Sequence, residues 1–266
     1  MTDPLVQRAA LPDEARAAAE RVRLAEAFRT GGAAYARLRP SYPRELVDWL
    51  VGPPARLGAP VADVGAGTGK LTEVLLALGH QVIAIEPSPG MLAELVAAYP
   101  AVAARPGTGE ATGLADAAVG AVCYAQAWHW VDPAAASAEA ARILRPGGTL
   151  GLVWTYLAGG DPGVAAVEAA MHALHDGPGE HDESFARVRG PFGDLDRREV
   201  TWFMPSTTAA MAQLVTTRSY YLARPERERA YLRRTVAQAV EAHFGPIGDA
   251  PIEVPYATVA YRYRRE

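Results

Sequence analysis

The sequence predicts an α/β fold built on a parallel sheet, and three observations carry that expectation. From Val61 onward short apolar runs alternate with helical segments, the first run ends in the glycine-rich turn Gly65-Ala-Gly67-Thr-Gly69, and the second ends in an acidic residue, Glu86. Alternating strands and helices make successive strands parallel, because each helix carries the chain back along the sheet face. A chain of 266 residues, 50% hydrophobic and 21% charged, is long enough for one large core, as one domain with a lid or as two small domains.

The elements follow in order. Asp13 to Phe28 runs through Ala, Glu, Arg and Leu without Gly or Pro and stops at Gly31-Gly32, which predicts a helix. Tyr42 to Val51 predicts another, with Leu46, Trp49 and Leu50 at helical spacing and Gly52-Pro53-Pro54 as its end. The next predicted elements are a buried strand at Val61 to Val64, a helix at Leu71 to Leu78, a strand at Gln81 to Glu86 and a helix at Pro87 to Tyr99. A short strand near Val102, a strong strand at Ala121 to Gln126, a helix at Pro133 to Leu144 and a strand at Thr149 to Thr155 continue the pattern. Arg145-Pro146-Gly147-Gly148 reads as a tight turn between the last two. Beyond Gly159-Gly160 come a helical stretch at Val164 to Leu174 and a polar loop at His175 to Glu183, read together as an insertion at about 157–197. Arg198 to Met204 and Ala257 to Tyr263 alternate like strands, with helices at Thr208 to Leu222 and Glu226 to His243 between them.

Charge and composition exclude several classes. A formal net charge of −4 leaves no basic footprint for a polyanion, and the tail Arg262, Arg264, Arg265 is too short to reverse that, so no nucleic-acid partner is expected. No run approaches the ~20 apolar residues that span a bilayer, and the start of the chain lacks an apolar signal core. No membrane partner and a cytoplasmic location are therefore expected. The single cysteine, Cys123, excludes an internal disulfide and sits in an apolar strand. His172, His175 and His181 with Asp176, Glu180, Asp182 and Glu183 resemble a metal cluster, but Gly177-Pro178-Gly179 interrupts them and no ligand spacing fits. No metal is expected; a solvated loop that helps to choose a substrate is.

The glycine turn admits three readings. A Walker loop needs Gly where Val64 stands and a hydroxyl residue where Leu71 stands. A dinucleotide fingerprint needs Gly or Ala at Lys70, and it tolerates Asp63 poorly, because that carboxylate would face a pyrophosphate. S-adenosyl-L-methionine carries no phosphate but has an ammonium and a sulfonium, and an acidic residue at Asp63 suits it. Glu86, at the end of the next strand, can accept two hydrogen bonds from ribose hydroxyls, and Met91 can pack on the adenine.

Four segments stand in the order found in the class I S-adenosylmethionine-dependent methyltransferases: Asp63 to Gly69, Glu86 to Met91, Ala125 to Trp130 and Leu144 to Gly148. The chain resembles that family, and within it the group of ubiquinone/menaquinone-biosynthesis and trans-aconitate methyltransferases. The resemblance implies a Rossmann-like, mostly parallel seven-stranded sheet with helices on both faces and an antiparallel last strand. It also implies an N-terminal helical lid, residues 1–52, ahead of a cofactor-binding domain, residues 53–266. Tyr35 and Arg39 resemble the lid residues that close over the methionine end, with Arg39 pairing to the cofactor carboxylate. The implied cofactor set is completed by Asp63, Gly65, Ala66, Gly67, Gly69, Glu86, Pro87, Met91, Gly109, Glu110, Ala125 and Gln126. Many relatives place Asp where this chain has Thr108, so adenine recognition here is expected to use backbone and apolar contacts.

Methyl transfer from a sulfonium is an in-line displacement, so holding the partners in attack geometry supplies up to about 7 to 11 kcal/mol. His129 stands in the family's substrate-facing position as a candidate base, with Trp128 and Trp130 as an aromatic wall and Arg218 as a candidate for an acidic acceptor or a helix surface. Gln126-Ala-Trp-His replaces the Asn- or Asp-Pro-Pro-aromatic segment of DNA amino-methylating enzymes, which points to a small-molecule acceptor. The alternatives are a protein that binds S-adenosylmethionine without methylating and, third, a nicotinamide oxidoreductase. A monomer or homodimer is expected.

Overall fold

Residues 32–56, 58–174 and 186–266 are described by a computed structural model; the helix expected at Asp13 to Phe28 and the loop at His175 to Glu183 lie outside them. Strand β1, Val61–Val64, is buried at all four positions and pairs in parallel with β2, Val82–Ile85, on one side and β4, Val119–Ala125, on the other. A strand covered on both faces must be apolar throughout rather than alternating, and Val-Ala-Asp-Val meets that demand except at Asp63. The sheet has seven strands in the order β3-β2-β1-β4-β5-β7-β6, with β3 at Ala103–Arg105, β5 at Leu144–Leu157, β6 at Phe192–Thr207 and β7 at Pro251–Arg265. Strand β7 runs antiparallel to both β5 and β6, as the resemblance implied.

Helices cover both faces, and the period of two along the strands sorts the side chains between them. Val61, Ala121, Cys123 and Val153 face helices α2, Arg44–Arg56, and α3, Lys70–Ala77. Ala62, Val64, Val122 and Leu152 face the opposite side with Ala136, Ala140 and Ile143 of α5, Pro133–Ile143. Three helices begin with the same device, a side-chain cap followed by proline at the first turn: Ser88 before α4 (Pro89–Ala98), Asp132 before α5 and Asp161 before α6 (Pro162–Met171). Proline loses nothing there, since its missing N–H is one the helix could not use, and a cap is worth about 1 kcal/mol.

A second core lies beyond the sheet. Val164, Val167 and Met171 of α6 pack with Leu232, Val236 and Val240 of α9, Glu226–Phe244, and with Leu38 of α1, Gly32–Leu38, over Leu157 and Tyr256. None of the helices among the described residues is long and apolar enough to cross a membrane.

Several boundaries differ from expectation for physical reasons. Helix α2 continues past Gly52, where φ is 69°, to Arg56; Thr149 packs into the kink and donates its hydroxyl to Val51 O. Arg145 to Gly148 is not a separate turn but a bulge inside β5, which already pairs at Leu144 with Val119 before its register shifts. The helix expected at Thr208 to Leu222 breaks into α7, Thr208–Gln213, a 3-10 turn, Leu214–Thr217, and α8, Ser219–Leu222. The hydroxyls of Thr216 and Thr217 donate back to Gln213 O and Leu214 O, both at 2.7 Å, competing with helical bonding and leaving Arg218 extended. Strands β6 and β7 outrun the expected segments because they pair with each other from Phe192–Arg265 to Thr207–Pro251.

Leu50, fully buried on α2, sits where a Cβ on Gly151 of β5 would fall, 2.5 Å from Leu50 Cγ. Such close seating leaves a cavity when the side chain is cut. Leu50→Ala should lower unfolding free energy by about 2–5 kcal/mol, seen as a lower urea midpoint at unchanged slope. A variant within about 0.5 kcal/mol of the parent would show that α2 is not clamped on the sheet.

Candidate cofactor and acceptor site

Strand β1 delivers Asp63 into the sheet and then turns at once. Asp63 is fully buried; Oδ2 accepts from Thr72 Oγ1 at 2.6 Å on α3, and Oδ1 has no hydrogen-bond partner. Burial, with a smaller push from Glu86 and against the Thr72 bond, raises its carboxyl to about 7. A shift of that size is about 4 kcal/mol against the ionised form, unless a donor or cation reaches Oδ1.

The turn above it needs glycine. Gly65 lies at φ 70°, and a Cβ there would stand 2.6 Å from Ala127 Cβ; Gly67 lies at φ 57° beside Met91 Sδ. The N–H groups of Gly65 and Ala66 donate to Ile85 O at 2.8 and 3.0 Å, which docks the turn on the end of β2. Thr68 Oγ1, buried in the same turn, is a second polar atom with no hydrogen-bond partner. Orphaned acceptors in a cradle without side chains fit a ligand that brings donors or positive charge, and a phosphate facing Asp63 would be repelled.

Glu86, at the end of β2, is buried and accepts from Gly67 N and Ser88 N, each at 2.8 Å. It thereby ties the glycine turn to the start of α4. A carboxylate has about four lone-pair sites, so two acceptor sites remain for ribose hydroxyls. Met91 is buried against Gly67, Ala66 is buried, and Pro87 is exposed at the rim. Gly109 is seated on Val131 and Tyr124, whose hydroxyl donates to Gly109 O at 3.1 Å. Glu110, expected at the cofactor, has its Oε1 accepting from Asp132 N at 2.8 Å, which secures the approach to α5.

At the tip of β4, Ala125 and Gln126 are half-buried, and Gln126 adopts φ 55°. Its N–H donates to Val153 O at 2.9 Å and its side chain to Thr155 O, which together hold a conformation that L residues rarely adopt. Strain of that kind gathers at functional sites. Residue identity alone carried no signal of it.

Tyr35 and Arg39, expected to close over the methionine end, contact each other and the turn at Thr217. The Arg39 guanidinium lies over the Tyr35 ring at 5.1 Å and donates to Thr217 O at 3.3 Å. Tyr42, buried nearby, has its hydroxyl pushed well above its usual range by burial, by Tyr35 and by Asp63, with Arg39 acting against them. Tyr35, Arg39 and Asp63 thus lie within electrostatic reach of the Tyr42 hydroxyl. Arg218 is not on a helix surface: it is 4% exposed and follows Thr217, whose carbonyl accepts from Arg39.

His129 lies in the 3-10 turn Trp128–Trp130 that follows β4. Its Nδ1 accepts from Trp154 Nε1 at 3.3 Å, and its ring is 4.5 Å from that of Trp130. Trp128, expected on the acceptor wall, is instead 1% exposed in the core, edge-on to Tyr124 at 4.7 Å with its N–H donated to Arg187 O. The tight turn rotates successive rings by about a third of a circle, so the two tryptophans cannot share a wall. Of the histidine and acid cluster only His172 lies among the described residues, with its ring 5.6 Å from that of Tyr220.

A carboxyl with a pKa of about 7 in the fold and about 3.8 when unfolded contributes stability below pH 3.8 that is lost as pH rises through about 7. Ligand binding runs the other way, because only the ionised form attracts a cation. S-adenosylhomocysteine should bind more tightly as pH rises from about 5.5 to 7.5, and Asp63→Asn should flatten the dependence in calorimetry. An identical pH profile in the variant would remove Asp63 from the site.

Comparison with known proteins agrees with this geometry. The family signature described as a methyltransferase domain matches residues 62–152, from β1 through most of β5. An uncharacterized methyltransferase of Mycobacterium tuberculosis is 41% identical over 236 residues, covering 88% of this chain and 94% of that protein. A methyltransferase-like protein of Schizosaccharomyces pombe is 38% identical over 130 residues, 48% of this chain and 50% of that one. Among solved structures, a candidate type II methyltransferase of Anaeromyxobacter dehalogenans superposes with a TM-score of 0.66 at 29% identity, covering 85% of this chain and 97% of that one. Such identity over nearly the full length of the mycobacterial protein, on a sheet with the antiparallel strand that the resemblance implied, places the chain in the class I S-adenosylmethionine-dependent methyltransferases.

Proposed function

We propose that this methyltransferase modifies a small molecule held at the carboxyl ends of β4 and β5, between the turn carrying His129 and the helical layer carrying Arg218. The observation that carries this reading is the bond from Arg39 to Thr217 O, which ties the lid segment to the turn beside Arg218. A site roofed in this way suits a compact acceptor. The net charge of −4 argues in the same direction, against a nucleic-acid substrate.

When bound, S-adenosylmethionine supplies an electrophilic methyl group on a sulfonium. Asp63 would hold its ammonium, Arg39 its carboxylate and Glu86 its ribose hydroxyls, while Met91 and Ala66 line the space for the base. Gln126, locked by Val153 and Thr155, presents the β4 tip to the reacting region. A neutral imidazole has one N–H and one acceptor nitrogen; with Nδ1 accepting from Trp154 Nε1, a neutral His129 would carry its own proton on Nε2. His129 then orients the acceptor by donating a hydrogen bond instead of removing a proton. A buried Arg218, next in sequence to the Thr217 that anchors Arg39, suits an acceptor bearing a carboxylate.

Transfer of isotopically labelled methyl to a panel of phenols, carboxylic acids and amines tests the reaction, with a labelled carboxylic acid ester or ether as the expected product. Tight binding of S-adenosylhomocysteine without transfer to any compound would favour a non-methylating role. In the same assay His129→Ala should raise the acceptor KM about tenfold with a smaller change in kcat, at all pH values tested. A kcat loss of about 10²-fold or more that shrinks as pH rises would restore His129 as a base.

A further inference from the structure

Helix α5 carries a buried acid, Glu139, that none of the cofactor or acceptor roles above involves. Its Oε1 accepts from Thr112 N at 2.9 Å and from Thr112 Oγ1 at 2.5 Å, and its Oε2 accepts from Arg142 Nε at 2.8 Å. Arg142 in turn donates to Leu114 O at 2.7 Å and to Asp116 Oδ1 at 2.6 Å. One carboxylate and one guanidinium on α5 thus grip the loop between β3 and β4 at three successive points. The surrounding bonds hold the carboxylate down to about 2, so it stays ionised across the working pH range.

The gripped loop borders the place where a nucleoside must lie. A Cβ on Gly107 would stand 2.7 Å from Ile85 Cγ2, at the end of β2, and Glu86 N donates to Arg105 O at 3.2 Å. The loop therefore starts against the strand end that carries Glu86. It then closes a small turn, Thr108 N to Ala111 O at 3.1 Å and Ala111 N to Thr108 O at 3.3 Å, with Gly109 seated on Tyr124. With ribose at Glu86, which rests on the reading given under Proposed function, the base extends toward this turn. Thr108 offers no carboxylate for the adenine amino group, so recognition depends on where the turn's backbone stands.

We propose that Glu139 is a positioning residue for the adenine half of the cofactor, fixing the Thr108 to Ala111 turn beside Glu86 by holding Thr112 against α5. Calorimetry with two probes tests this: S-adenosylhomocysteine, and methylthioadenosine, which keeps the nucleoside and lacks the ammonium and carboxylate. Glu139→Ala should raise Kd for both by the same factor, about tenfold. Glu139→Gln keeps an acceptor for Thr112 and should stay within about threefold. Asp63→Asn provides the opposite pattern, weakening S-adenosylhomocysteine alone. Should Glu139→Ala not fold, Thr112→Val removes the hydroxyl's bonds to Glu139 and from Leu114 N at constant shape, keeps the Thr112 N–H bond to Glu139, and should weaken both probes about threefold. A folded Glu139→Ala protein with a lower Tm but unchanged Kd for both probes, or with loss for S-adenosylhomocysteine only, would overturn the proposal. Failure of the unaltered protein to bind either probe would instead overturn the cofactor reading on which it rests.

Discussion

The carboxylate of Asp63, held dry at the end of a central strand, is the constraint around which the rest of the structure is arranged. Ionising it there costs about 4 kcal/mol relative to water, and the chain supplies only part of the compensation, through Thr72 at 2.6 Å. The remaining oxygen stays unsatisfied within the protein. Everything that keeps it dry follows from the fold: β1 between β2 and β4, α2 and α3 on one face, and α5 on the other. A parallel sheet places its ligand crevice at the carboxyl ends of its strands, so this buried acid and the glycine turn above it occupy one point.

Around that point the protein binds itself before it binds anything else. Glu86 takes the N–H groups of Gly67 and Ser88, so the glycine turn and the start of α4 are set in place by protein bonds. Gln126 is held in a left-handed conformation by two carbonyls of β5. Arg39 is anchored on Thr217, which joins the end of α1 to the 3-10 turn of the second core. Groups fixed in advance lose little freedom on binding, and a displacement reaction that depends on alignment benefits from that directly.

What the sequence revealed and what it concealed divide along a physical line. Features set by local chemistry were legible: the unbroken apolar strand Val61 to Val64, the glycine turn, and the helices expected at Pro87 to Tyr99 and Pro133 to Leu144. Features set by tertiary packing were not. Trp128 and Trp130 look alike in sequence, yet a 3-10 turn sends one into the core and leaves the other beside His129. Glu110 and Glu139 exchange apparent importance, because only the folded loop shows the first bonded to Asp132 N and the second to Thr112. The break before Arg218 had a visible cause in Val215-Thr216-Thr217, a β-branched run, whose disfavour in a helix could have been read.

The buried acid is also where ligand and protein should act most strongly on each other. Carbon-13 labelling of aspartate, with Asp63 assigned by its Asn variant, allows its carboxyl to be titrated by NMR with and without S-adenosylhomocysteine. Without ligand the resonance should titrate at about 7; with ligand an ammonium at Oδ1 should stabilise the ionised form and lower the midpoint by more than about 1 unit. A midpoint that stays in place or rises on saturation would contradict the assignment of Asp63 to the cofactor's positive end.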